Sequence, residues 1–564
     1  MRFTVLKNRK QEESMRYVPL FAAALLAALS TAAAAQTALS GTVSSAEEGA
    51  MEGVLVRAKK AGSTITVTVV SDAKGRYAFP AAKLPPGNYG LRIRAAGYDL
   101  AGPDSAELVA GKTATADLKL KKTSDLAAQL SNGEWLASFP GTDQQKAVMR
   151  NCVGCHTLER IARSQYDADT FMKVILPRMQ GYVNQSMPQA PQLRRAERLM
   201  EERGDQRVQV YRTTAEFLAT INRSASGTWK YELKTLPRPT GRATRVIVTE
   251  YDLPRDVIQP HDVVVDRAGI AWYSSFGEQY LGRLDPKTGK VTEYQVGLSK
   301  PGFPTGFLAL RTDREENLWM GNMYQATIVK FDPKTTKFVT WTLPKEQNID
   351  AAQVNMVSPQ AAHVDGKVWT QNNGFAGVHR LDLKTGQIET WEPFKSAPKG
   401  QPHNIYDVIP DSKNNAYFTD FRQHHIGRID AATGEVKLFT VPTPASAPRR
   451  GMMDAKDRLW FAEYRGDRVA VFDTKSETFK EWKMATKWAS PYDVTIDKHE
   501  EAWTGSMITD QVTRLDTQTG QMVDYLLPRE TNIRRVFVDN STTPVTFWVG
   551  SNHGASIIKL EPLE

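Results

Sequence analysis

Two cysteines and a histidine stand side by side in the chain and form its strongest chemical motif. The run Cys152-Val153-Gly154-Cys155-His156 contains both cysteines of the 564-residue sequence. Cys-x-x-Cys-His is the attachment sequence of c-type haem, in which two thioethers hold the macrocycle and the adjacent histidine is the proximal ligand of the iron. A redox dithiol would need a thioredoxin-like βαβ surround, and a zinc site would need further ligands nearby. The motif therefore predicts one covalent haem c.

Methionines that follow the motif are the candidates for the sixth ligand of the iron. A thioether ligand raises the reduction potential, which suits electron transfer. Met179 ends a predicted helix at a glycine, and Met187 lies beside Pro188 in a loop, while Met172 and Met200 are further candidates. Each of them can equally fill a hydrophobic core. We favour Met179, with Met187 as the alternative; an iron without either would permit ligand or peroxide chemistry instead.

Helices must position this motif, and residues 126–226 have helical patterns. Gln144–Arg150 leads into the cysteines, and Thr157–Tyr182 and Val208–Ile221 have apolar residues at helical spacing. The charged run Arg194–Arg207 is predicted to be the solvated face of a helix. The stretch resembles a small class I cytochrome c. That resemblance implies an all-α domain that holds the haem and passes single electrons.

The N-terminus predicts export from the cytoplasm. A basic lead is followed by the apolar run Val18–Leu29 and by small residues up to Ala35, which is typical of a secretory signal peptide over residues 1–35. Met15 is an alternative start, and an uncleaved anchor is an alternative interpretation. We expect a periplasmic or otherwise exported protein, and no other apolar run is long enough to span a bilayer.

The net charge does not point to a nucleic-acid partner. The formal charge of the whole chain is +9, and removal of the five basic and two acidic residues of the signal peptide leaves +6. Such a charge, spread over so long a chain, is no nucleic-acid footprint, but it suits docking to an acidic redox partner.

Residues 37–122 are predicted to form a small β-sandwich. Short alternating stretches such as Val54–Arg57 and Thr64–Val69 are separated by turns rich in glycine and proline. The segment resembles the carboxypeptidase regulatory-like domain, an Ig-like sandwich. The residues that carry the resemblance are Gly41-Thr42-Val43, Asp72–Phe79, Pro86–Tyr89 and Gly97-Tyr98. The resemblance implies a spacer or an adhesive surface without catalysis.

Residues 245–564 repeat, and residues 227–244 are the predicted linker before them. An aromatic residue recurs at Trp272, Trp319, Trp369, Tyr417, Trp460, Trp503 and Trp548. An acidic residue follows each aromatic by 13 positions, and in five repeats an aspartate precedes it by six. Seven units of four-strand length predict a seven-bladed β-propeller. The strand Arg245–Pro254 is expected to complete the last blade; an open solenoid is the alternative.

The repeats resemble the streptogramin (virginiamycin B) lyase family. The phrases that carry the resemblance are Ala416–Asp420, His425–Asp430 and Leu459–Tyr464. In that family an acid three residues after the aromatic holds Mg²⁺, and a nearby histidine acts as the base that opens a lactone by elimination. The candidate catalytic residues are His261, His403, Asp420, Glu463 and Arg450, with Mg²⁺ as the candidate ion in the funnel of the propeller. This sequence departs from the family's pairing of a histidine and an acid within one blade. Ser275 stands where the acid partner of His261 would be, and Arg449 stands where the histidine partner of Glu463 would be.

Polar residues from several repeats are predicted to surround the central funnel of the ring. They are His261, His403, Asp420, Arg449, Arg450, Glu463, Tyr492, Arg534, Arg535 and His553. A histidine with two acids could bind a divalent cation or move a proton, and the arginines could hold a carboxylate. The alternative is that the mouths of propellers are polar because the ends of their inner strands face water.

Together these patterns predict a multidomain, mainly β protein with an Ig-like sandwich, a small all-α cytochrome c domain and a seven-bladed propeller. The leading functional hypothesis is an exported monohaem cytochrome whose propeller binds a small-molecule substrate or a periplasmic redox partner. A metal-dependent C–O lyase and a non-catalytic binding scaffold are the alternatives.

Overall fold

A computed structural model of the protein describes residues 36–154, 156–176, 193–398 and 400–564, and for 193–204, 206 and 207 it describes the backbone only. The predicted signal peptide, Cys155, Met179 and Met187 lie outside the described residues, as does the side chain of Met200. The protein is mainly β, with an N-terminal sandwich, a helical segment and a ring of sheets. Within the described residues, no helix is both long and apolar enough to cross a membrane.

The N-terminal domain consists of two packed sheets, as predicted for residues 37–122. One sheet contains Thr37–Ser45, Gly49–Ala50, Arg76–Pro80, Tyr98–Gly102, Ala114–Thr115 and Leu118–Lys122. The other contains Leu55–Lys60, Ile65–Val70, Gly87–Arg94 and Ser105–Leu108. Gly41 is required in the first strand because a Cβ there would lie 1.9 Å from the carbonyl oxygen of Ala116. The two inner faces bury Val43, Val56 and Leu91 between them.

The helical segment is broken into more pieces than the sequence pattern predicts. Its helices are Leu126–Gln129, Asn132–Ser138, Asp143–Ala147, Met149–Cys152, Glu159–Ala162, Ala168–Thr170, Phe171–Ile175 and Leu193–Ile221. The continuous helix predicted from Thr157 is wrong, because the side chain of Asp167 accepts the backbone N–H of Thr170 and caps a new helix. Residues 177–182 of that prediction lie outside the described residues.

Six four-stranded sheets and four strands of an eight-stranded sheet form the ring in the described residues, so the predicted seven-bladed propeller is confirmed. Their strands, from the inner to the outer edge, are as follows. Blade one has Pro260–Val265, Ala271–Ser275, Tyr280–Asp285 and Lys290–Gln295. Blade two has Arg311–Thr312, Leu318–Asn322, Thr327–Asp332 and Lys337–Thr342. Blade three has Val354–Ser358, Lys367–Asn372, Gly377–Asp382 and Ile388–Trp391. Blade four has Ile405–Pro410, Ala416–Asp420, His425–Ile429 and Val436–Thr440. Blade five has Pro448–Met453, Arg458–Glu463, Arg468–Asp473 and Thr478–Lys483. Blade six has Thr495–Ile496, Glu501–Gly505, Gln511–Asp516 and Met522–Leu526.

Blade seven contains strands from both ends of the ring. Ile533–Asp539, Thr546–Ser551 and Ser556–Pro562 are followed at the outer edge by Val246–Asp252, which pairs antiparallel with the C-terminal strand. The predicted closure is therefore confirmed. The same strand also pairs with Ile65–Val70 of the sandwich, so blade seven and one sandwich sheet form a single eight-stranded sheet.

The repeated aspartate six residues before the aromatic has two roles. In blade five, one carboxylate oxygen of Asp454 accepts the backbone N–H groups of Lys456 and Arg458 at 2.8 and 2.9 Å. The other oxygen accepts the indole N–H of Trp460 at 2.9 Å. The aspartate therefore fixes the hairpin turn and also anchors the tryptophan that packs between blades. Blade three has His363 at this position, and its Trp369 donates instead to the carbonyl of Asn414 at 3.0 Å.

The segment predicted as a linker, residues 227–244, is packed against both of its neighbours. The indole of Trp229 donates to the carbonyl of Ala162 at 2.9 Å, and the backbone N–H of Leu236 donates to Glu134 at 2.9 Å. Arg242 also donates to Glu564, which follows the last strand of the ring, so the segment contacts the helical segment and the ring.

Candidate functional site

The helical segment covers the mouth of the propeller, which is the face where the innermost strands begin. The guanidinium of Arg150 donates to Ser490 at 2.9 Å and to Asp467 at 3.2 Å. The side chain of Asn532, just before the inner strand of blade seven, donates to the carbonyl of Val153 at 3.0 Å. Burial raises the pKa of Asp467, although Arg150 opposes the shift. The helix that leads into the cysteine motif is therefore fixed to blades five, six and seven.

In the described residues of the motif, Cys152 is buried and one hydrogen bond sets the tautomer of His156. Cys152 ends the helix Met149–Cys152 and is 3% exposed. The Nδ1 atom of His156 lies 2.8 Å from the carbonyl oxygen of Thr157, so Nδ1 donates and Nε2 keeps its lone pair. Burial lowers the pKa of His156, which favours the neutral ring that binds metals.

Side chains from four blades form one hydrogen-bond chain across the axis of the ring. Asp262 lies 2.8 Å from Nδ1 of His261, and Nε2 of His261 lies 3.0 Å from the hydroxyl of Tyr492. Tyr492 contacts the hydroxyl of Tyr406, which accepts a hydrogen bond from Arg449 at 3.1 Å. Burial lowers the pKa of His261 to about 3, so its ring is neutral. Only one direction of the hydrogen bonds is consistent with these contacts: Arg449 donates to Tyr406, and each group donates to the next as far as the carboxylate of Asp262.

We call five side chains near the start of the inner strands the upper layer: four occupy the second position of their strand, and Tyr492 precedes the strand Thr495–Ile496, next to the bridge between Pro491 and Ser506. Its members are His261, Tyr406, Arg449, Tyr492 and Arg534. Arg449 lies among the rings of four aromatic residues, the nearest of which is Tyr492 at 3.9 Å from ring centroid to guanidinium carbon. Arg534 donates to the carbonyl of Gly154, within the cysteine motif, at 3.2 Å. The upper layer therefore lies directly beneath the motif.

A second group of charges, the lower layer, lies further along the inner strands: five of its six members directly follow an upper-layer residue, and the sixth, Arg311, begins the inner strand of blade two. Its members are Asp262, Arg311, Asp407, Arg450, Asp493 and Arg535. Both terminal nitrogens of Arg450 donate to Asp262, one to each oxygen, at 2.6 and 2.8 Å. A single terminal nitrogen of Arg311, Nη2, donates to both oxygens of Asp407 at 2.7 and 2.8 Å. Burial alone would raise the pKa of Asp262, but Arg450 holds it well below its usual range. Three carboxylates and three guanidinium groups thus balance one another.

The predicted catalytic residues fall into separate places. His261 is fully buried and both of its ring nitrogens are bonded, and Arg450 is bound to Asp262. Arg450 and Arg535, which the sequence suggested as holders of a substrate carboxylate, both pair with aspartates of the lower layer. Glu463 is buried at the end of a blade-five strand, and burial, with the charge of Glu481 adding to it, raises its pKa to about 8.

His553 lies close to the motif. Burial, with Arg534 nearby, lowers the pKa of His553 to about 3, so its ring is neutral at pH 7.

His403 and Asp420 meet as predicted, and a third residue joins them. Nδ1 of His403 is 2.7 Å from the carboxylate of Asp420, and Nδ1 of His425 is 3.5 Å from it. One ligand atom from each residue lies within 4.8 Å of the others. The ring of His403 also stacks on Phe394 at 4.0 Å between centroids, which fixes its orientation. Two imidazole nitrogens and one carboxylate are donors that suit zinc, iron or manganese better than magnesium.

Sequence reasoning missed His425 and the aspartates of the lower layer. His425 faces Asp420 directly across a hairpin, which the short turn between them could have indicated. Asp262, Asp407 and Asp493 each stand ten residues before the aromatic of their blade, as does Arg450. That shared offset was a signal that the same position carries a charge in four of the seven blades.

Two family models match parts of the chain. The carboxypeptidase regulatory-like domain matches residues 38–121, and the virginiamycin B lyase family matches residues 345–533. No curated protein matches the sequence. The chain therefore contains a carboxypeptidase regulatory-like domain and a virginiamycin B lyase-like propeller, as the sequence resemblances predicted.

Solved structures of lyases resemble the propeller region. A selenomethionine-substituted virginiamycin B lyase from Staphylococcus aureus is 23% identical, with 56% of this chain and 99% of that chain covered and a TM-score of 0.47. A streptogramin B lyase structure is 21% identical, with 57% of this chain and 99% of that one covered and a TM-score of 0.49.

Proposed function

We propose that the protein is an exported, periplasmic c-type cytochrome that carries one haem at the mouth of its propeller. One observation carries the proposal: Asn532 and Arg534 of the ring hold the carbonyls of Val153 and Gly154, inside the Cys-x-x-Cys-His turn. A turn that only linked two helices would need no such anchoring from another domain. When bound, haem c would supply one-electron exchange at this position.

The residues of the turn fit that group. Cys152 and Cys155 would form the thioethers, and His156 would be the proximal ligand through Nε2, since Nδ1 donates to Thr157. The helix before the motif and the long final helix share one core, in which Met149 and Cys152 pack with Leu218. This core excludes water from one side of the turn, and the propeller covers another. The ring would then present a substrate or a redox partner to the cofactor.

Covalent attachment is the direct test. The full chain, expressed with c-type maturation machinery, should keep its haem stain after denaturing electrophoresis, and Cys152→Ala/Cys155→Ala should lose it. His363→Ala is the matched control, because His363 lies on a short surface helix far from the motif. A matured protein without covalent haem would overturn the proposal.

The identity of the sixth ligand is a separate part of this proposal. Ligation of iron(III) by methionine gives a weak far-red absorption band, and we expect Met179→Ala to abolish it. If the band survives in Met179→Ala and vanishes in Met187→Ala, Met187 is the ligand. Survival of the band in both variants would contradict both assignments.

A second candidate function is metal-dependent C–O bond elimination, as in the lyases that the propeller resembles. The observation in its favour is the cluster of His403, Asp420 and His425, which lies within the matched residues 345–533. Because two of the three donors are imidazoles, we expect a transition metal rather than Mg²⁺ in this cluster. The cluster would bind and polarise an ester oxygen, and a neighbouring base would remove the proton.

Metal binding distinguishes this candidate. The purified chain should bind zinc or manganese with one high-affinity site that Asp420→Ala and His425→Ala both abolish, together with any lactone-opening activity. Asp430→Ala in the next turn of the same blade is the matched control. Equal metal binding by the wild type and both variants would exclude the cluster as the site.

A further inference from the structure

The upper layer of the propeller mouth contains two buried cations without a counter-ion. Arg449 and Arg534 are 5% and 1% exposed. Among the described residues no carboxylate lies within ion-pair distance of either, whereas the three arginines of the lower layer all have such partners. Charged groups are seldom buried unless an opposite charge accompanies them. The lower layer is balanced, so the upper layer carries two positive charges in excess.

The aromatic rings hold Arg449 in place but do not neutralise it. One terminal nitrogen of its guanidinium is 3.3 Å from the sulfur of Met507, a weak acceptor, and the other donates to Tyr406. Its Nε is buried without a hydrogen-bond partner in the described part of the chain. An arginine with unused N–H donors in a rigid aromatic cage is preorganised for an oxyanion.

The two guanidinium groups are neighbours of the same tyrosine. Both lie against the ring of Tyr492, at 3.9 and 5.5 Å from its centroid. Burial lowers the pKa of Arg534, and the positive charge of Arg449 lowers it further, so the two cations repel each other. A shared anionic ligand would remove that repulsion.

We propose that Arg449 and Arg534 form a carboxylate-binding site at the inner end of the propeller mouth. The hydroxyl protons of Tyr406 and Tyr492 are already used in the chain that ends at Asp262, so the guanidinium groups are the donors that remain. Flat carboxylates match the planar N–H edges of guanidinium, and two singly charged groups match the excess of two charges. The carboxylates have two possible sources: the propionate groups of the haem, which rests on the proposed function, or a free carboxylate substrate.

Ligand binding to the full chain without haem tests the site itself. Protein expressed without c-type maturation is titrated with succinate at constant ionic strength, with phosphate as the comparison anion, and binding is followed by calorimetry and by thermal shift. We expect succinate to bind, phosphate to bind more weakly, and Arg449→Gln and Arg534→Gln to bind succinate at least tenfold more weakly. Arg449→Lys should fall between, because it keeps the charge but loses the planar fork.

The matched control is Arg267→Gln, which removes one positive charge from the exterior of the ring, where its side chain is 79% exposed. It should bind succinate as the wild type does. Equal binding by the wild type, Arg449→Gln and Arg534→Gln, the absence of succinate binding, or tighter binding of phosphate would each overturn the proposal.

The matured protein separates the two sources of carboxylate. If haem propionates fill the site, the holoprotein should not bind succinate, and its midpoint potential should fall in Arg449→Gln because a nearby positive charge is lost. If the holoprotein binds succinate with the affinity of the haem-free chain, the ligand is a free carboxylate. If no haem is attached at all, the proposed function fails while the haem-free titration still decides the carboxylate site.

Discussion

Removal of one carboxylate from the lower layer should weaken the whole ring. Asp262 is fully buried, and it binds both terminal nitrogens of Arg450, at 2.6 and 2.8 Å, and Nη1 of Arg535 at 3.2 Å. It also accepts the backbone N–H of Leu310 at 3.0 Å. In Asp262→Asn the volume is kept, but the charge is lost and an NH₂ group is turned toward cationic donors. Breaking a buried pair in this way costs about 3–5 kcal/mol, because the surviving cations stay buried without compensation.

Urea denaturation followed by tryptophan fluorescence measures this loss, since the tryptophans are spread over the blades. Glu500→Gln breaks an exposed pair with Lys456 and serves as the control, for which we expect little change. The stability from Asp262 is present above its unfolded pKa and is lost as the pH falls below about 4, so the Asn variant should lack that part of the acid dependence. A loss below about 1 kcal/mol at pH 7 would refute the view that these charges depend on one another.

Three further predictions concern other parts of the molecule. Asp454→Ala should lower the free energy of unfolding by about 1–3 kcal/mol, because two turn amides and the indole of Trp460 lose their acceptor. His363→Ala, at the same position in blade three, should have little effect. Equal losses in the two variants would contradict the dual role of the aspartate. Glu463→Gln should stabilise the protein by about 1–3 kcal/mol at pH 8 and hardly at all at pH 4.5. The pKa of Glu463 is raised to about 8 in the folded protein, so the folded state loses stability as the pH rises above the pKa of this group in the unfolded chain. A pH-independent difference in urea denaturation would argue against this explanation. Glu250→Ala should speed amide hydrogen exchange in Val246–Asp252, because Arg57 and Arg529 lose the carboxylate that both bind at the joint between the sandwich and blade seven. Lys59→Ala, at the half-exposed end of that joint, should leave the exchange unchanged. Unchanged exchange in both variants would show that the backbone hydrogen bonds alone hold the strand.

The parts of the fold that repeat could be predicted from the sequence, because the same spacing of aromatic and acidic residues recurs in each blade. The spacing of tryptophans gave the number of blades, and the similarity of Arg245–Pro254 to later outer strands indicated the closure. The layers at the axis could not be derived in this way. Arg450 and Asp262 are 188 residues apart, and only the circular arrangement of blades brings them into contact. A buried aspartate and one in a turn look alike in a sequence until a partner is assigned.

The helical segment shows the opposite limit. The apolar spacing after Thr157 is compatible with one long helix. However, Asp167 caps a new helix, and a pattern of apolar residues does not reveal such a cap. The docking of the cysteine motif on the ring depends on Asn532 and Arg534, which belong to a domain that begins long after it. Long-range contacts of this kind need the assembled geometry.

The joint in blade seven pairs strands that are synthesised at different times. Val246–Asp252 is made about 300 residues before its partner Ser556–Pro562. During that interval the strand would be an open edge, which other chains could join by the same backbone pairing. Ile65–Val70 is already complete by then and covers one side of it. The N-terminal sandwich thus covers one of the two edges of this strand early, and only the edge that Ser556–Pro562 later pairs with is left open to other chains.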